Sequence, residues 1–150
     1  MYKKDAGVPT LSWSSAVDEA LCFGWIDSTR RTLDDERFIQ YYSKRKPKSV
    51  WSKINKEKVK QLIEQGLMAE AGLKSIQLAK QNGSWTALNE VEALKIPADL
   101  EAKLESTPGS KAHFMSLSKS VRKIMLLGLM QAKRPETRLK RIDEIMGRIA

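Results

Sequence analysis

The sequence predicts an α+β fold in which helices dominate, and three observations carry that expectation. Aromatic and β-branched side chains gather between residues 23 and 44 on either side of the polar run Asp34-Asp35-Glu36, the pattern of a β-hairpin. From Ser49 onward, apolar residues recur at the three- and four-residue spacing of helices. Ser, Gly and Pro cut that second stretch where helices start and stop. The expected organisation is a β-containing N-terminal part over 1–48, read as a sheet subdomain that is cut short, and a helical part over 49–150, closed into one compact unit.

Taken in order, residues 13–22 read as a short helix capped by Ser14 or Ser15, with Val17, Ala20 and Leu21 on one face. Strands near 23–32 and 37–44 follow. A two-stranded hairpin is marginal alone, so Tyr2 and Lys3 are expected to end another strand. Ser52 caps a helix that runs to Gly66, its apolar face formed by Trp51, Val59, Leu62 and Ile63, with Asn55 on the same face. A further helix spans about 69–81 and stops at Asn82-Gly83. Trp85 begins a loop that lasts to Ile96. Pro97 and Pro108 are expected at the first positions of short helices that end near Glu105 and Met115. Ser118 caps a helix containing Val121, Ile124, Met125, Leu127 and Leu129. Pro135 opens the last one, with Leu139, Ile142, Ile145, Met146 and Ile149 along one side.

Composition narrows the function classes. A chain of 150 residues with 41% hydrophobic content can bury a real core. No apolar run approaches the roughly 20 residues of a membrane span, and the start has no signal-peptide core. The single cysteine, Cys22, excludes an internal disulfide and reads as a buried thiol. These features point to the cytoplasm. The net charge of +9 is concentrated: residues 30–60 hold eleven Lys/Arg against four Asp/Glu, and residues 119–148 hold nine against three. Two basic blocks favour an anionic partner, either a small anion, an acidic protein or, less favoured, a nucleic acid.

Catalytic chemistry finds little support. The one histidine, His113, has no partner acid or cysteine near it in sequence. One Cys and one His give no metal-ligand spacing, and the scattered glycines form no phosphate loop. No cofactor, metal or catalytic residue is assigned. Three stretches remain as binding candidates. In Gly24-Trp25-Ile26-Asp27, Trp25 and Asp27 share a strand face; they are either a core tryptophan with an acid paired to an arginine, or the wall of a pocket. The stretch from Tyr41 to Asn55 joins cations at Arg45 and its neighbours with Ser49, Trp51 and the capped helix start, where Asn55 needs a partner if buried. It reads equally as a basic loop into a core anchor or as an anion site. Near Pro135, Lys133, Arg134, Thr137 and Arg138 form either a salt-bridged helix entrance or part of the same cationic surface.

The chain resembles the YdeI/OmdA family, the bacteriocin-protection, YdeI or OmpD-associated group. The resemblance is carried by 18–27 (Asp-Glu-Ala-Leu-Cys-Phe-Gly-Trp-Ile-Asp), 45–55 (Arg-Lys-Pro-Lys-Ser-Val-Trp-Ser-Lys-Ile-Asn), Gly66-Leu67-Met68, Gly83-Ser84-Trp85 and 132–138 (Ala-Lys-Arg-Pro-Glu-Thr-Arg). It implies a small bacterial protein linked to bacteriocin or antimicrobial-peptide resistance. By position it marks Trp25, Asp27, Arg45, Ser49, Trp51, Ser52 and Asn55, together with Lys133, Arg134, Glu136, Thr137 and Arg138. Ser28, Lys44 and Leu67 depart from the glycine, proline and arginine usual there, and relatives carry a segment before the Tyr2 position. The resulting expectation is a non-enzymatic binding or stress-protection protein with a cationic–aromatic pocket. The alternative is a nucleic-acid-binding protein using the two basic blocks.

Overall fold

The computed structural model describes residues 1–3, 7 and 9–149. Among them are eight helices and one two-stranded antiparallel sheet, so the class is helix-dominant α+β. The chain forms two compact units, Met1–Ala87 and Leu88–Ala150. The two helices that follow residue 49 fall in the first unit together with the hairpin.

In the first unit, α1 spans Trp13–Cys22, β1 Trp25–Thr32, β2 Phe38–Lys44, α2 Lys53–Glu64 and α3 Glu70–Gln81. The cap of α1 is Ser12, whose Oγ accepts from the Ser15 N–H at 3.0 Å. The helix spans the 13–22 expected, but its cap stands two to three residues before the Ser14 or Ser15 expected. Cys22 ends α1, and the chain reverses at Gly24, where φ is +74°. Phe23 and Gly24 are therefore a helix end, not strand. In the hairpin Trp25 pairs with Lys44 and Asp27 with Tyr42, and an irregularity follows between Asp27 and Arg30. Tyr2 makes an isolated antiparallel bridge to Arg37, the trace of the third strand expected there.

A single core holds this unit together: Val17, Leu21, Cys22, Trp51, Val59, Leu62, Ile76 and Ala79, with Ile26, Tyr42, Met68 and Trp85 against it. Ser52 caps α2 by accepting from the Asn55 N–H, as the sequence indicates. Ile63 is 47% exposed, however, because the buried stripe of α2 is the narrower Val59–Leu62 pair. Lys58 Nζ reaches Asp18 Oδ1 at 2.5 Å and joins α2 to α1. Helix α3 approaches α1 through Gly72: a methyl group there would lie 2.3 Å from the Cys22 carbonyl oxygen. That carbonyl accepts from the Ala69 N–H at 3.1 Å.

The second unit comprises α4 (Asn89–Glu92), α5 (Ala98–Ser106), α6 (Ser110–Ser116), α7 (Lys119–Gln131) and α8 (Pro135–Ile149). The expected loop up to Ile96 contains the single turn of α4, which buries Val91 next to Leu88. Pro97 is the cap of α5, one place before its first helical residue. Helix α6 starts at Ser110 after a left-handed Gly109, so Pro108 lies outside it. Ser118 and Pro135 stand where the sequence places them. Leu100, Leu104, Phe114, Met125, Leu126, Leu129, Ile142, Ile145 and Ile149 form the core with Leu88 and Val91. Ile124 and Leu139 are exposed instead, one helical step off the stripe that packs.

Candidate functional site

The chemistry of the first unit gathers around one side chain. Arg45 follows the last residue of β2, where its N–H donates to the Gly24 carbonyl at 3.0 Å. This backbone bond extends the hairpin by one rung and turns the guanidinium inward. Its carbon of charge lies 3.8 Å from the centre of the Trp51 ring, a cation–π stack. Nη1 donates to the Val50 carbonyl at 3.1 Å. Arg45 is only 9% exposed, and it forms no salt bridge with a described residue. Its buried Nε has no hydrogen-bond partner among the described residues. Burial pulls its pKa down to about 10, against a weaker opposing pull from Asp27. A desolvated cation without a carboxylate is an unusual thing to keep in a protein interior.

Around Arg45 lies a cleft of about 560 Å³, within the range of small-molecule sites. Phe23, Pro47, Trp51, Ala71 and Leu78 give it apolar walls, and Lys44, Lys46 and Lys74 add charge. Its shape follows from the chain. Gly24 has no side chain to fill it, and a methyl there would lie 3.0 Å from the Ala71 carbonyl oxygen. Pro47 is fixed because its carbonyl accepts from Asn82 Nδ2 at 2.7 Å and from the Ser84 hydroxyl at 3.3 Å. Beneath the cleft Trp51 leans on Trp85, with ring centres 5.1 Å apart and planes tilted by 48°. Lys56 and Lys80 lie over the Trp85 ring. Trp51 is buried and its Nε1 has no partner among the described residues.

The other residues marked by sequence fall in several places. Trp25 is exposed and does not line the cleft. Asp27 is half-buried opposite Tyr42. Burial, and then the Asp27 charge, raise the Tyr42 pKa. Ser49 is half-buried and its N–H donates to the Lys46 carbonyl. Asn55 is half-buried in the first turn of α2. The segment at Pro135 belongs to the second unit. There Arg138 is framework: Nη2 donates to Asp99 Oδ1 at 2.9 Å, Nε to Asp99 Oδ2, and Nη1 to the Leu129 carbonyl at 2.9 Å. Lys133 and Arg134 are exposed and Thr137 half-buried. In the two basic blocks, Arg37, Lys58, Lys123 and Arg138 are held by carboxylates, and Arg141 donates to the Gly128 carbonyl. His113 Nδ1 is 2.8 Å from the Ile149 carbonyl.

Two family models match the chain. One, a domain of unknown function (DUF8412), covers residues 1–75. The other, described as Bacteriocin-protection, YdeI or OmpD-Associated, covers residues 93–150. The chain belongs to the DUF8412 family and carries a YdeI/OmdA domain. No curated protein and no solved structure matches it. The boundary between the two matches falls where the compact units divide. Of the stretches that resemble YdeI/OmdA proteins, 132–138 lies in the YdeI/OmdA match, whereas 18–27, 45–55 and 66–68 lie in the DUF8412 match. The Arg45 cleft is thus built largely within the DUF8412 segment.

Sequence reasoning marked Arg45 and Trp51 but missed the walls. Phe23 carries strand propensity but caps the end of α1. The stripe Ala71, Ser75 and Leu78 was hidden behind the stronger Gly72, Ile76 and Ala79 core stripe of α3. Its spacing of four and three residues was the available signal.

Proposed function

We propose that this bacteriocin-protection-associated protein is a non-enzymatic binding protein whose N-terminal unit takes an anionic ligand at Arg45. That ligand is a small anion or an acidic group on a partner protein. One observation carries the reading: a guanidinium 9% exposed, in no salt bridge with a described residue, borders an open cleft. An incoming acid would supply the missing counter-charge. The bond it makes would be charge-assisted and poorly screened, because the cation is already desolvated. Protein interiors keep buried charges paired, and the absence of a salt bridge from Arg45 to any described residue supports a counter-charge bound in the cleft.

The groups that would support catalysis are otherwise engaged. Cys22 is buried, and burial, followed by Glu19 and Asp18, raises its thiol pKa. That is the reverse of an activated nucleophile. His113 faces a backbone carbonyl at the end of α8.

Calorimetric titration with acetate, benzoate, sulfate and inorganic phosphate tests the reading. Saturable binding of at least one anion, weakened tenfold or more in Arg45→Met, is the expected result. Binding that is equal in the variant, or absent for every anion, would reject it. Filter binding of nucleic acid across a salt series separates the competing use of the basic blocks, which demands a steep log–log slope.

A further inference from the structure

The polar groups that line the cleft are mostly spent within the protein. The Ser75 hydroxyl donates to the Gly72 carbonyl at 2.9 Å. The Gly24 carbonyl accepts from Arg45, and the Pro47 carbonyl from Asn82 and Ser84. Lys74 is engaged by Glu70 at 2.6 Å. Two buried donors remain without a partner among the lining residues, Arg45 Nε and Trp51 Nε1. Everything else offered by Phe23, Pro47, Ala71 and Leu78 is carbon.

We infer that the ligand is an aliphatic monocarboxylic acid, its carboxylate on Arg45 and its hydrocarbon chain along the Phe23, Pro47 and Leu78 walls. This deepens the binding role proposed above and rests on it. A carboxylate carries two acceptor oxygens and one charge, which suits one buried cation. A phosphate or nucleotide would have to meet its further charge at the exposed Lys44 and Lys46 of the rim, whereas the unpartnered buried donors number only two. Small polar anions would leave the apolar walls facing water, whereas a hydrocarbon chain covers them. Phe23 at 51% exposed and Leu78 at 40% are the surfaces that such a chain would cover.

The experiment is calorimetry of the full chain with acetate, butyrate, hexanoate and octanoate, and with 1-octanol and inorganic phosphate as controls. Affinity is expected to rise about fourfold for each methylene that enters the cleft, the equivalent of about 0.8 kcal/mol. One octanoate should bind per chain, at least tenfold more tightly than 1-octanol. Leu78→Gln, an exposed position, should flatten the chain-length dependence. Equal affinity along the series, or phosphate binding as tightly as octanoate, would overturn this inference and leave an anion cleft standing. Octanoate binding that ignores Arg45→Met, or no binding of any acid or of phosphate, would overturn both.

Discussion

Gly72 is the position at which the fold of the first unit and the shape of the cleft can be perturbed together. In Gly72→Ala the new methyl would stand 2.3 Å from the Cys22 carbonyl oxygen and 2.9 Å from its carbon. Both are backbone atoms, so no side chain can rotate away. Helix α3 must retreat from the end of α1, which strains the bond from the Ala69 N–H to that carbonyl. Overpacking of this kind costs about 1–3 kcal/mol, and a weakened backbone hydrogen bond adds about 0.5–1.5 kcal/mol. Alanine's higher helix propensity returns about 1 kcal/mol. The net expectation is a loss of about 1–3 kcal/mol. Because α3 also carries Ala71, Ser75 and Leu78, the cleft should widen and ligand affinity should fall. All four tryptophans lie before residue 88, so urea unfolding followed by tryptophan fluorescence reads the first unit. Gly147→Ala is the control: in α8 a methyl meets nothing within 4 Å, and propensity alone should stabilise the second unit by up to about 1 kcal/mol, read by circular dichroism. A Gly72→Ala protein as stable as the parent would refute the close approach of α3 to α1.

Three other expectations follow from particular contacts. Arg45→Met should change stability by no more than about 1 kcal/mol: burial that brings the guanidinium to about 10 costs on the order of 3 kcal/mol, and the lost cation–π stack and charged hydrogen bond are worth about as much together; urea titration would contradict this with a loss above about 2 kcal/mol. Arg138→Ala should destabilise the second unit by about 1–2 kcal/mol near neutral pH, a figure already reduced for the exposed Asp99 carboxylate. Hydrogen bonding to Arg138 is the main cause that holds the Asp99 pKa below the ordinary carboxylate range. That contribution is present above about pH 4 and is lost as pH falls through the depressed value. The gap between parent and variant should therefore narrow in acid, and a gap that widens there would contradict the pairing. Cys22, buried with its thiol pKa raised by burial, should react with a thiol reagent only when the first unit unfolds; rapid native-state labelling would place it at the surface.

Much of the architecture was legible in the sequence because local signals fixed it. Ser52, Ser118 and Pro135 open their helices as capping chemistry requires, and the hairpin follows from its aromatic and β-branched content. What escaped was set by tertiary packing. Phe23 has strand propensity, but Gly24 at positive φ ends α1 there. Leu139 and Ile63 continue an apolar pattern that their units do not bury. At the site, the sequence joined Arg45 to Trp51 but could not show that Arg45 is buried and in no salt bridge with a described residue. That property depends on the Gly24 rung and on the Pro47 loop held by Asn82, thirty-five residues away.

Two buried donors, Arg45 Nε and Trp51 Nε1, border the cleft, and both can be watched directly. A nitrogen–proton correlation spectrum that includes the arginine and indole side chains, recorded during titration with octanoate, is the most direct measurement. The Arg45 Nε–H and Trp51 Nε1–H signals should move together and saturate at one ligand per chain, while the indole signal of exposed Trp25 stays in place. If those two signals remain still while shifts spread without saturation, the Arg45 cleft is not the binding site.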